Sequence, residues 1–446
     1  MTFNETLGMI MLFGMVAVIF IGFPISFTLL FLALVFGGIG LGWQQTFDLA
    51  YLQIWGTMKD EILPAVPLFI FMGYMTEQAG LMERLFLALR NLLAPVRGAL
   101  YLAVILTATI FAMATGIVGA AVTVLGIMAG PIMIKTGYDA RLSAGAIAAG
   151  GTLGILIPPS VMLVVMGPTM GVPVNLLYSA AFGPGFLLAS MYIAYCLIRS
   201  FINPKLGPPV PLEERVGDWR IIIKEFIIGV IPLTCLIGFT LGTILGGLAT
   251  PTEAASCGAF GATFLALLYR RLTFTALKNA AVSTMVTSSM VLLLAVASNV
   301  FGAVFTKLGA AGLITSTLVG LPWPDVWKLA LIMVLIFILG WPFEWPAIIL
   351  VFLPIFLPVV EKLQLGMNKL EMLIWFGALV AVNLQTAFLS PPVAMSAYYL
   401  RNVVPQWSLS TIYRGMADYM VIQVIALVAL FMWPEISLWL MRALRG

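Results

Sequence analysis

Apolar stretches of about twenty residues, the length of helix that crosses a bilayer, recur along this chain, for example at residues 177–198, 226–248 and 282–305. Inside hydrocarbon every backbone N–H and C=O must be hydrogen-bonded within the protein, so such segments cross as helices. Only 9% of the residues are charged, against about 25% in soluble domains. The sequence therefore predicts an all-α polytopic membrane protein.

Missing residue types and motifs exclude several classes of function. The chain contains no histidine, which excludes histidine metal sites, histidine-based catalytic triads and histidine proton relays. It contains no GxxxxGKS or GxxxxGKT loop, so we do not expect it to hydrolyse ATP. The net charge of +4 lies in loops and indicates orientation in a lipid bilayer, with no nucleic-acid partner. The N-terminal residues lack the features of a signal peptide, so the first apolar segment is expected to remain as a membrane helix.

Two apolar segments are interrupted in a similar way. The first contains Gly150-Gly151-Thr152-Leu153-Gly154-Ile155-Leu156-Ile157-Pro158-Pro159-Ser160, and the second contains Asn383-Leu384-Gln385-Thr386-Ala387-Phe388-Leu389-Ser390-Pro391-Pro392. Proline lacks an amide hydrogen and its ring clashes with the preceding turn, so neither segment continues as a regular helix. Either break alone could be a kink that shapes a helix bundle. Two broken helices in corresponding places of two halves indicate the central site of a transporter.

The two halves of the chain align with each other. Phe69, Gly80 and Leu81 match Phe301, Gly312 and Leu313, and the two proline pairs match at nearly the same offset. We predict a first repeat, a linker and a second repeat, at residues 1–198, 199–225 and 226–446. The broken helices are expected within residues 142–173 and 372–399. Residues 98–134 and 328–360 are each interrupted midway.

Shorter patterns predict the remaining elements. Gly22-Phe23-Pro24 divides the long N-terminal apolar run into two helices. Residues 43–60 are expected to be a polar loop, and residues 81–93 an amphipathic helix at the membrane interface. The last helix is expected at residues 418–440.

Basic residues predict the orientation of the chain. The loops at 84–97, 199–224 and 270–278 are positively charged and should be cytoplasmic. Three crossings precede the first of them, which puts the N-terminus in the periplasm and makes the two repeats inverted. Strict symmetry puts the C-terminus outside, whereas Arg442 and Arg445 argue for the cytoplasm, and the prediction follows the charges.

Three motifs carry a resemblance to a known family over nearly the whole chain. The first is Gly137-Tyr138 followed by Gly154-Ile155-Leu156-Ile157-Pro158-Pro159-Ser160. The second is Gly247-Leu248-Ala249-Thr250-Pro251-Thr252-Glu253-Ala254-Ala255, and the third is Asn383 with Ser390-Pro391-Pro392. The chain resembles the large membrane (permease) subunit of the TRAP (tripartite ATP-independent periplasmic) transporters, within the ion-transporter superfamily.

The resemblance implies a fold, a mechanism and partners. It implies an elevator-type secondary transporter in the bacterial inner membrane that imports small organic anions (carboxylates) with sodium as coupling ion and no other cofactor. It implies a small membrane subunit of about four helices and a periplasmic substrate-binding protein. It also implies that 98–134 and 328–360 are helical hairpins whose tips face the broken helices. The first tip departs from the serine-rich family pattern, since it reads Thr115-Gly116-Ile117-Val118.

The broken helices supply the candidate ligands of an ion or a substrate. We expect Gly150, Gly151 and Gly154 to allow close approach of the backbone, and Pro158, Pro159, Pro391 and Pro392 to leave carbonyl groups free. Hydroxyl and amide oxygens come from Thr152, Ser160, Asn383, Gln385, Thr386 and Ser390, and the first tip adds Thr115 and Gly116. A sodium site is predicted near Thr152 and Thr386. Serine and threonine also join helices in membranes, which is the competing interpretation.

Two carboxylates lie in mostly apolar surroundings, which marks each as a functional candidate. Glu253 follows Thr250-Pro251-Thr252 and could equally cap the helix that begins there. Glu344 lies between Trp341-Pro342 and Trp345-Pro346 and could equally face the membrane interface, where tryptophan is favoured.

Other functions remain open at this stage. The chain could be a stand-alone ion-coupled carboxylate carrier that needs no binding protein. A channel or a structural membrane scaffold is a further alternative. A membrane-embedded enzyme is disfavoured, because the sequence shows neither a paired Asp-rich motif nor a Gly-x-Ser-x-Gly elbow.

Overall fold

The computed structural model describes residues 1–210, 215, 218–391 and 394–445, and of residues 112, 114, 115 and 445 it describes the backbone alone. These residues form helices joined by turns, and no strand occurs among them. Within them, seven helices are long and apolar enough to cross a membrane. The predicted all-α polytopic membrane protein is confirmed.

The N-terminal helices follow the predicted breaks with one exception. They are α1 (Phe3–Ile21), α2 (Ile25–Gly40), α3 (Trp43–Met58), α4 (Ala65–Gln78) and α5 (Leu81–Leu93). Gly22 ends α1 in the left-handed region with φ 102°, where a glycine meets no Cβ clash, and Pro24 precedes α2. Helix α5 has the predicted bounds and buries one apolar face.

The exception is the polar loop predicted at residues 43–60, which is wrong because those residues form α3. This helix buries Thr46 and Ala50 and exposes an aromatic face on which Trp43 stacks with Phe47 and Tyr51 stacks with Trp55. Its glutamines and aspartate interrupt the apolar run, but they recur with the period of an amphipathic helix.

The first hairpin and the first broken helix lie where the sequence predicts breaks. The elements are α6 (Ala99–Thr115), α7 (Val118–Lys135), α8 (Ala140–Thr152), a 3-10 turn (Leu153–Ile155), α9 (Val161–Met170) and α10 (Val174–Ile202). Side chains fix both halves of the broken helix, since Asp139 caps α8 by accepting from Leu142 N and Ser160 caps α9 by accepting from Leu163 N.

The second half contains the corresponding elements. They are α11 (Trp219–Leu245), α12 (Pro251–Leu268), α13 (Phe274–Lys307), α14 (Ala310–Val319), α15 (Asp325–Leu339), α16 (Trp345–Ala347), a π-helical stretch (Ile348–Phe352), α17 (Leu353–Val360), α18 (Lys369–Gln385), a 3-10 turn (Thr386–Phe388), α19 (Met395–Val403), α20 (Leu409–Met432) and α21 (Glu435–Arg445). The single last helix predicted at 418–440 is wrong. Two helices cover this stretch, because Pro434 cannot continue α20.

The turn after α13 corrects the sequence alignment of the halves. Gly80 precedes α5 with φ 68°, and the residue that precedes α14 in the same way is Gly309, with φ 87°. Gly312, which the alignment matched to Gly80, lies inside α14. The inverted relation of the repeats and their boundaries stay predictions.

Contacts between helices show which ends share a face of the bundle. The start of α8 meets the early part of α20, where an Arg141 nitrogen lies 2.5 Å from an Asp418 oxygen. Tyr195, near the end of α10, donates to the same aspartate. The far end of α20 meets the start of α18, because the indole of Trp375 donates to Leu430 O. The linker after α10 and the end of α20 therefore lie on opposite faces.

Helix α21 places the C-terminus relative to the linker, while the side of the membrane on which each lies stays a prediction. This helix lies at the start of α18, where Arg442 pairs with Glu371 at 2.8 Å, on the face opposite the linker. A cytoplasmic linker and a cytoplasmic C-terminus therefore cannot both hold. Arg442, one of the two arginines on which the cytoplasmic prediction rests, is held by both Glu371 and Glu435 and is not a free positive charge.

Each half buries the broken helix of the other. Helix α8 is buried from Leu142 to Thr152 and packs on α20 of the second half. Helix α18 is buried from Met372 to Gln385 and packs on α10 of the first half as well as on α20. The two breaks are thereby held at the centre of the molecule.

Candidate functional site

A cavity of about 370 Å³ lies where the two hairpin tips meet the two broken helices, and we call it the central cavity. Its lining residues come from α4, α7, the first break, α9, α13, the second tip, the second break and α19: Ile70, Tyr74, Glu77, Gly116, Ile117, Val118, Gly119, Ala120, Thr123, Ile155, Val161, Thr287, Met290, Val291, Glu344, Trp345, Pro346, Phe388, Met395 and Tyr399. This volume suits a small molecule.

Helix N-termini converge on the central cavity. Its lining includes Val118, Val161, Trp345 and Met395, which are the first residues of α7, α9, α16 and α19. Helix α16 continues without interruption to residue 360. The N-termini of α7, α16 and α19 have no side-chain cap. Ala347 N and Ala397 N donate to backbone oxygens and Pro346 has no amide hydrogen, so the other first-turn amides are left for another acceptor. Uncapped N-termini carry partial positive charge and attract anions.

The charged side chains in the cavity are acidic. Glu77 and Glu344 line it, and no Lys or Arg occurs among the described residues of its wall. In the cavity lining, the Tyr74 hydroxyl lies 3.0 Å from the Thr287 hydroxyl, and Tyr399 adds a further polar group.

Of the predicted site residues whose side chains the structure describes, only Gly116 and Glu344 line the central cavity. Glu344 lies at the second tip and does not cap the helix that follows, so its carboxylate is not used as a helix cap. Thr115 ends α6 beside Gly116, and Pro392 lies outside the described residues.

The first broken helix lies directly behind the cavity wall, which it touches through Ile155 and Val161. Thr152 donates to Ala149 O at 2.8 Å, and Ser160 donates to Ile155 O. Both hydroxyls are fully buried. Gly154, Pro158 and Pro159 are also buried, whereas Pro391 of the second motif is exposed.

The glycines of the first motif serve packing. A Cβ on Gly151 would lie 2.4 Å from Cγ2 of Val122 in α7, and one on Gly150 would lie 3.1 Å from Cβ of Ala108 in α6. The expectation that these two glycines also bring the backbone close to an ion stays a prediction. They bring the first hairpin onto the broken helix.

The second broken helix repeats the hydroxyl geometry and leaves oxygens without partners. Thr386 donates to Asn383 O at 2.7 Å, the same three-residue step as Thr152 to Ala149, and Ser390 donates to Thr386 O at 2.7 Å. The Asn383 amide donates to Met333 O at 2.8 Å, but its Oδ1 has no hydrogen-bond partner. The Oε1 atom of buried Gln385 is also unpartnered.

These neutral oxygens are of the type that sodium ligands require, and the sodium site itself stays a prediction. Buried acceptor oxygens without a donor are costly, and a cation that accepts their lone pairs removes that cost. Each threonine hydroxyl gives its hydrogen to a carbonyl and keeps lone pairs for a ligand. No group of three or more Asp, Glu, Cys or His side chains occurs in the described part of the chain, so the candidate ligands are neutral.

Glu253 caps α12. Its carboxylate accepts from Thr250 N at 2.8 Å, while Thr250 Oγ1 accepts from Glu253 N at 3.2 Å, which completes a capping box. The Thr252 hydroxyl in the same turn donates a hydrogen bond to Glu61 O at 2.8 Å. The carboxylate lies outside the central cavity, as the capping interpretation predicts.

Sequence reasoning missed Glu77, Tyr74, Thr287 and Tyr399. Glu77 carried a usable signal, since it is an acidic residue in an apolar segment and the reasoning applied to Glu344 applies equally to it. The other three carry none, because their meeting depends on how α4, α13 and α19 pack.

Comparisons with known proteins identify the family of this chain. The family described as "Tripartite ATP-independent periplasmic transporter, DctM component" matches residues 12–436. The sialic acid TRAP transporter large permease protein SiaM of Vibrio cholerae is 28% identical, with 98% of each chain covered. The C4-dicarboxylate TRAP transporter large permease protein DctM of Pseudomonas aeruginosa is 28% identical, covering 87% of this chain and 88% of its own.

A solved structure supports the fold. The crystal structure of the Alcanivorax borkumensis YdaH transporter matches with a TM-score of 0.65 at 16% identity, covering 92% of this chain and 96% of that chain. The chain is a transporter component and not an enzyme. From the span of the family match and the identity of its relatives, we conclude that this chain belongs to the DctM family, the large permease components of tripartite ATP-independent periplasmic transporters.

Proposed function

We propose that this chain is the permease of a sodium-coupled importer for a small solute that carries an acidic group. The observation that carries this proposal is the convergence of uncapped helix N-termini on the central cavity. Backbone amides at helix ends bind carboxylate, sulfonate or phosphate oxygens without a basic side chain. The names of the two relatives give sialic acid and C4-dicarboxylates as solutes, and both carry carboxylates.

Sodium would be held by the second broken helix. The unpartnered oxygens of Asn383 and Gln385 and the lone pairs of Thr386 support this assignment. Thr152 would supply an equivalent oxygen in the first half. Bound sodium would place positive charge beside the cavity that receives the acidic group.

The transport movement would be of the elevator type. In this proposal the hairpins and broken helices move together as one unit, and α4 with α13 form the wall against which they slide. The cavity lies between these two sets, because α4 and α13 contribute Tyr74, Glu77 and Thr287 while the moving set contributes the tips. Solute would thus be held at the sliding surface.

The partners follow from the tripartite family. We propose that a periplasmic binding protein delivers the solute and that a small membrane subunit completes the permease. The linker would lie in the cytoplasm and both termini in the periplasm.

The proposal is tested by a single substitution that places a large side chain in the central cavity. Ala120 lies in the first turn of α7 and lines the cavity, so Ala120→Trp should abolish sodium-driven uptake while the protein still folds. Ile127→Trp is the matched control, since Ile127 lies on the same helix and is 55% exposed. Uptake is measured in vesicles that contain the permease, its small subunit and the binding protein.

Two outcomes would contradict the proposal. Normal uptake by folded Ala120→Trp protein would remove the central cavity from the transport path. Uptake of the same rate without the binding protein would favour a stand-alone carrier instead.

A further inference from the structure

The charges around the central cavity carry information about the solute. Oε2 of Glu77 is buried and has no hydrogen-bond partner among the described residues. Glu344 lines the same cavity at the second tip, without capping its helix. Two carboxylates thus face a cavity whose described wall has no cationic side chain.

We propose that the solute carries a positively charged nitrogen in addition to its acidic group. This inference rests on the proposed function, because it assigns charges to the solute of that same cavity. The uncapped N-termini of α7 and α19 would bind the acidic group, and Glu77 and Glu344 would bind the nitrogen.

Charge balance supports a zwitterion over a dianion. Like charges in a partly dehydrated site repel strongly, so a second acidic group beside Glu344 would weaken binding. An ammonium or amidinium group would instead form charge-assisted hydrogen bonds with the two carboxylates.

The proposed sodium ion would lie behind the cavity wall and would not contact the two glutamates. Its ligands Asn383, Gln385 and Thr386 are not among the residues that line the cavity, whereas both glutamates are. Direct hydrogen bonds to Glu77 and Glu344 are therefore left to the solute itself.

Matched pairs of small molecules test the inference. Taurine and isethionate share a sulfonate and differ only in an ammonium group against a hydroxyl group. β-Alanine and 3-hydroxypropionate make the same comparison for a carboxylate, and succinate supplies a second acidic group. Binding of each to the purified permease in lipid nanodiscs with sodium is measured by calorimetry.

We expect the ammonium member of a pair to bind more tightly by about tenfold to hundredfold, the effect of one hydrogen bond to a charged group. Glu344→Gln and Glu77→Gln should each reduce that preference. Glu361→Gln is the control, because Glu361 ends α17 and pairs with Lys369 away from the cavity.

Several results would overturn the inference. One is that the hydroxyl member of a pair, or succinate, binds as tightly as the ammonium member or more tightly. Another is that both Glu77→Gln and Glu344→Gln keep the preference for the ammonium member. A third is that none of the probes binds. Ala120→Trp distinguishes a failure of the charge assignment from a failure of the proposed function. If Ala120→Trp abolishes binding, but the hydroxyl members bind the unmodified protein as tightly as the ammonium members, the charge assignment alone fails. If binding survives in folded Ala120→Trp protein, the cavity is not the solute site and the proposed function fails with it.

Discussion

At the scale of single residues, the two broken helices share one hydroxyl geometry. Thr152 and Thr386 each donate to the carbonyl three residues earlier, at the point where an α-helix becomes a 3-10 turn. The halves differ in the residues just before these threonines, because the second break carries unpartnered amide oxygens and the first carries glycines packed on a hairpin. We therefore expect the second break to be the more sensitive to loss of an oxygen.

Asn383→Ala tests that expectation. Removing Oδ1 should raise the sodium concentration needed for half-maximal uptake roughly tenfold to hundredfold, the effect of one buried polar interaction lost. Uptake is measured against sodium and normalised to folded protein. Asn299→Ala is the control, since Asn299 is also an amide of a membrane helix but donates to Thr57. An unchanged sodium midpoint in Asn383→Ala would remove Asn383 from the ion site.

Gly151→Ala tests the packing role of the first motif. The added Cβ would overlap Val122, so we expect a loss of about 1–3 kcal/mol in the free energy of unfolding, the usual effect of overpacking. Adding Val122→Ala should restore part of it, because the Cγ2 atom in conflict is gone. Stability is measured by thermal unfolding in detergent. A Gly151→Ala protein of normal stability but altered sodium affinity would contradict the packing role and place Gly151 at the ion site.

Which residue types matter was predictable from the sequence, but which of them meet was not. Proline and glycine at residues 150–159 predict a break from local chemistry alone. The convergence of Glu77 with Glu344 depends on the packing of α4 against a hairpin tip far along the chain. No local pattern encodes that contact.

At the scale of elements, the sequence predicts helix ends well where a residue enforces them. Gly22 and Pro24 end one helix and start the next, and the amphipathic period of α5 defines both of its ends. Prediction fails at α3 and at Pro434, where polar residues and a single proline allow two interpretations.

Thr250→Ala tests the structural role of the α12 cap. Loss of the capping box should lower the free energy of unfolding by about 1 kcal/mol, while uptake per folded protein stays normal. Glu253→Gln should behave alike, with a smaller loss. Circular dichroism on heating measures the first quantity and vesicle uptake the second. A stable Glu253→Gln protein without uptake would make the carboxylate functional.

At the scale of the whole molecule, orientation follows from which helix ends share a face. The N-terminus lies against α14, since Gly8 packs on Ala310. The end of α14 meets Lys328, whose partner Asp325 also accepts from Gln364 N ahead of α18. Both termini therefore lie on the face opposite the linker.

Cysteine labelling tests this topology in a protein whose native cysteines are replaced. A membrane-impermeant maleimide added to intact cells should label Glu435→Cys and Thr2→Cys readily, since residues 435 and 2 are exposed. Ser437→Cys should react only when helix α21 opens locally, because residue 437 is buried. Lys205→Cys in the linker should react only after the membrane is opened. Labelling of Lys205→Cys from outside would reverse the orientation.

The mutual burial of the broken helices has a consequence for biosynthesis. Helix α8 leaves the ribosome long before α20, yet α20 supplies the surface on which α8 packs. Until then α8 must be shielded by lipid, by its own hairpin or by the insertion machinery. A nascent chain stopped before residue 409 should therefore remain sensitive to membrane proteases, and the two halves made as separate chains should be stable only when they are produced together.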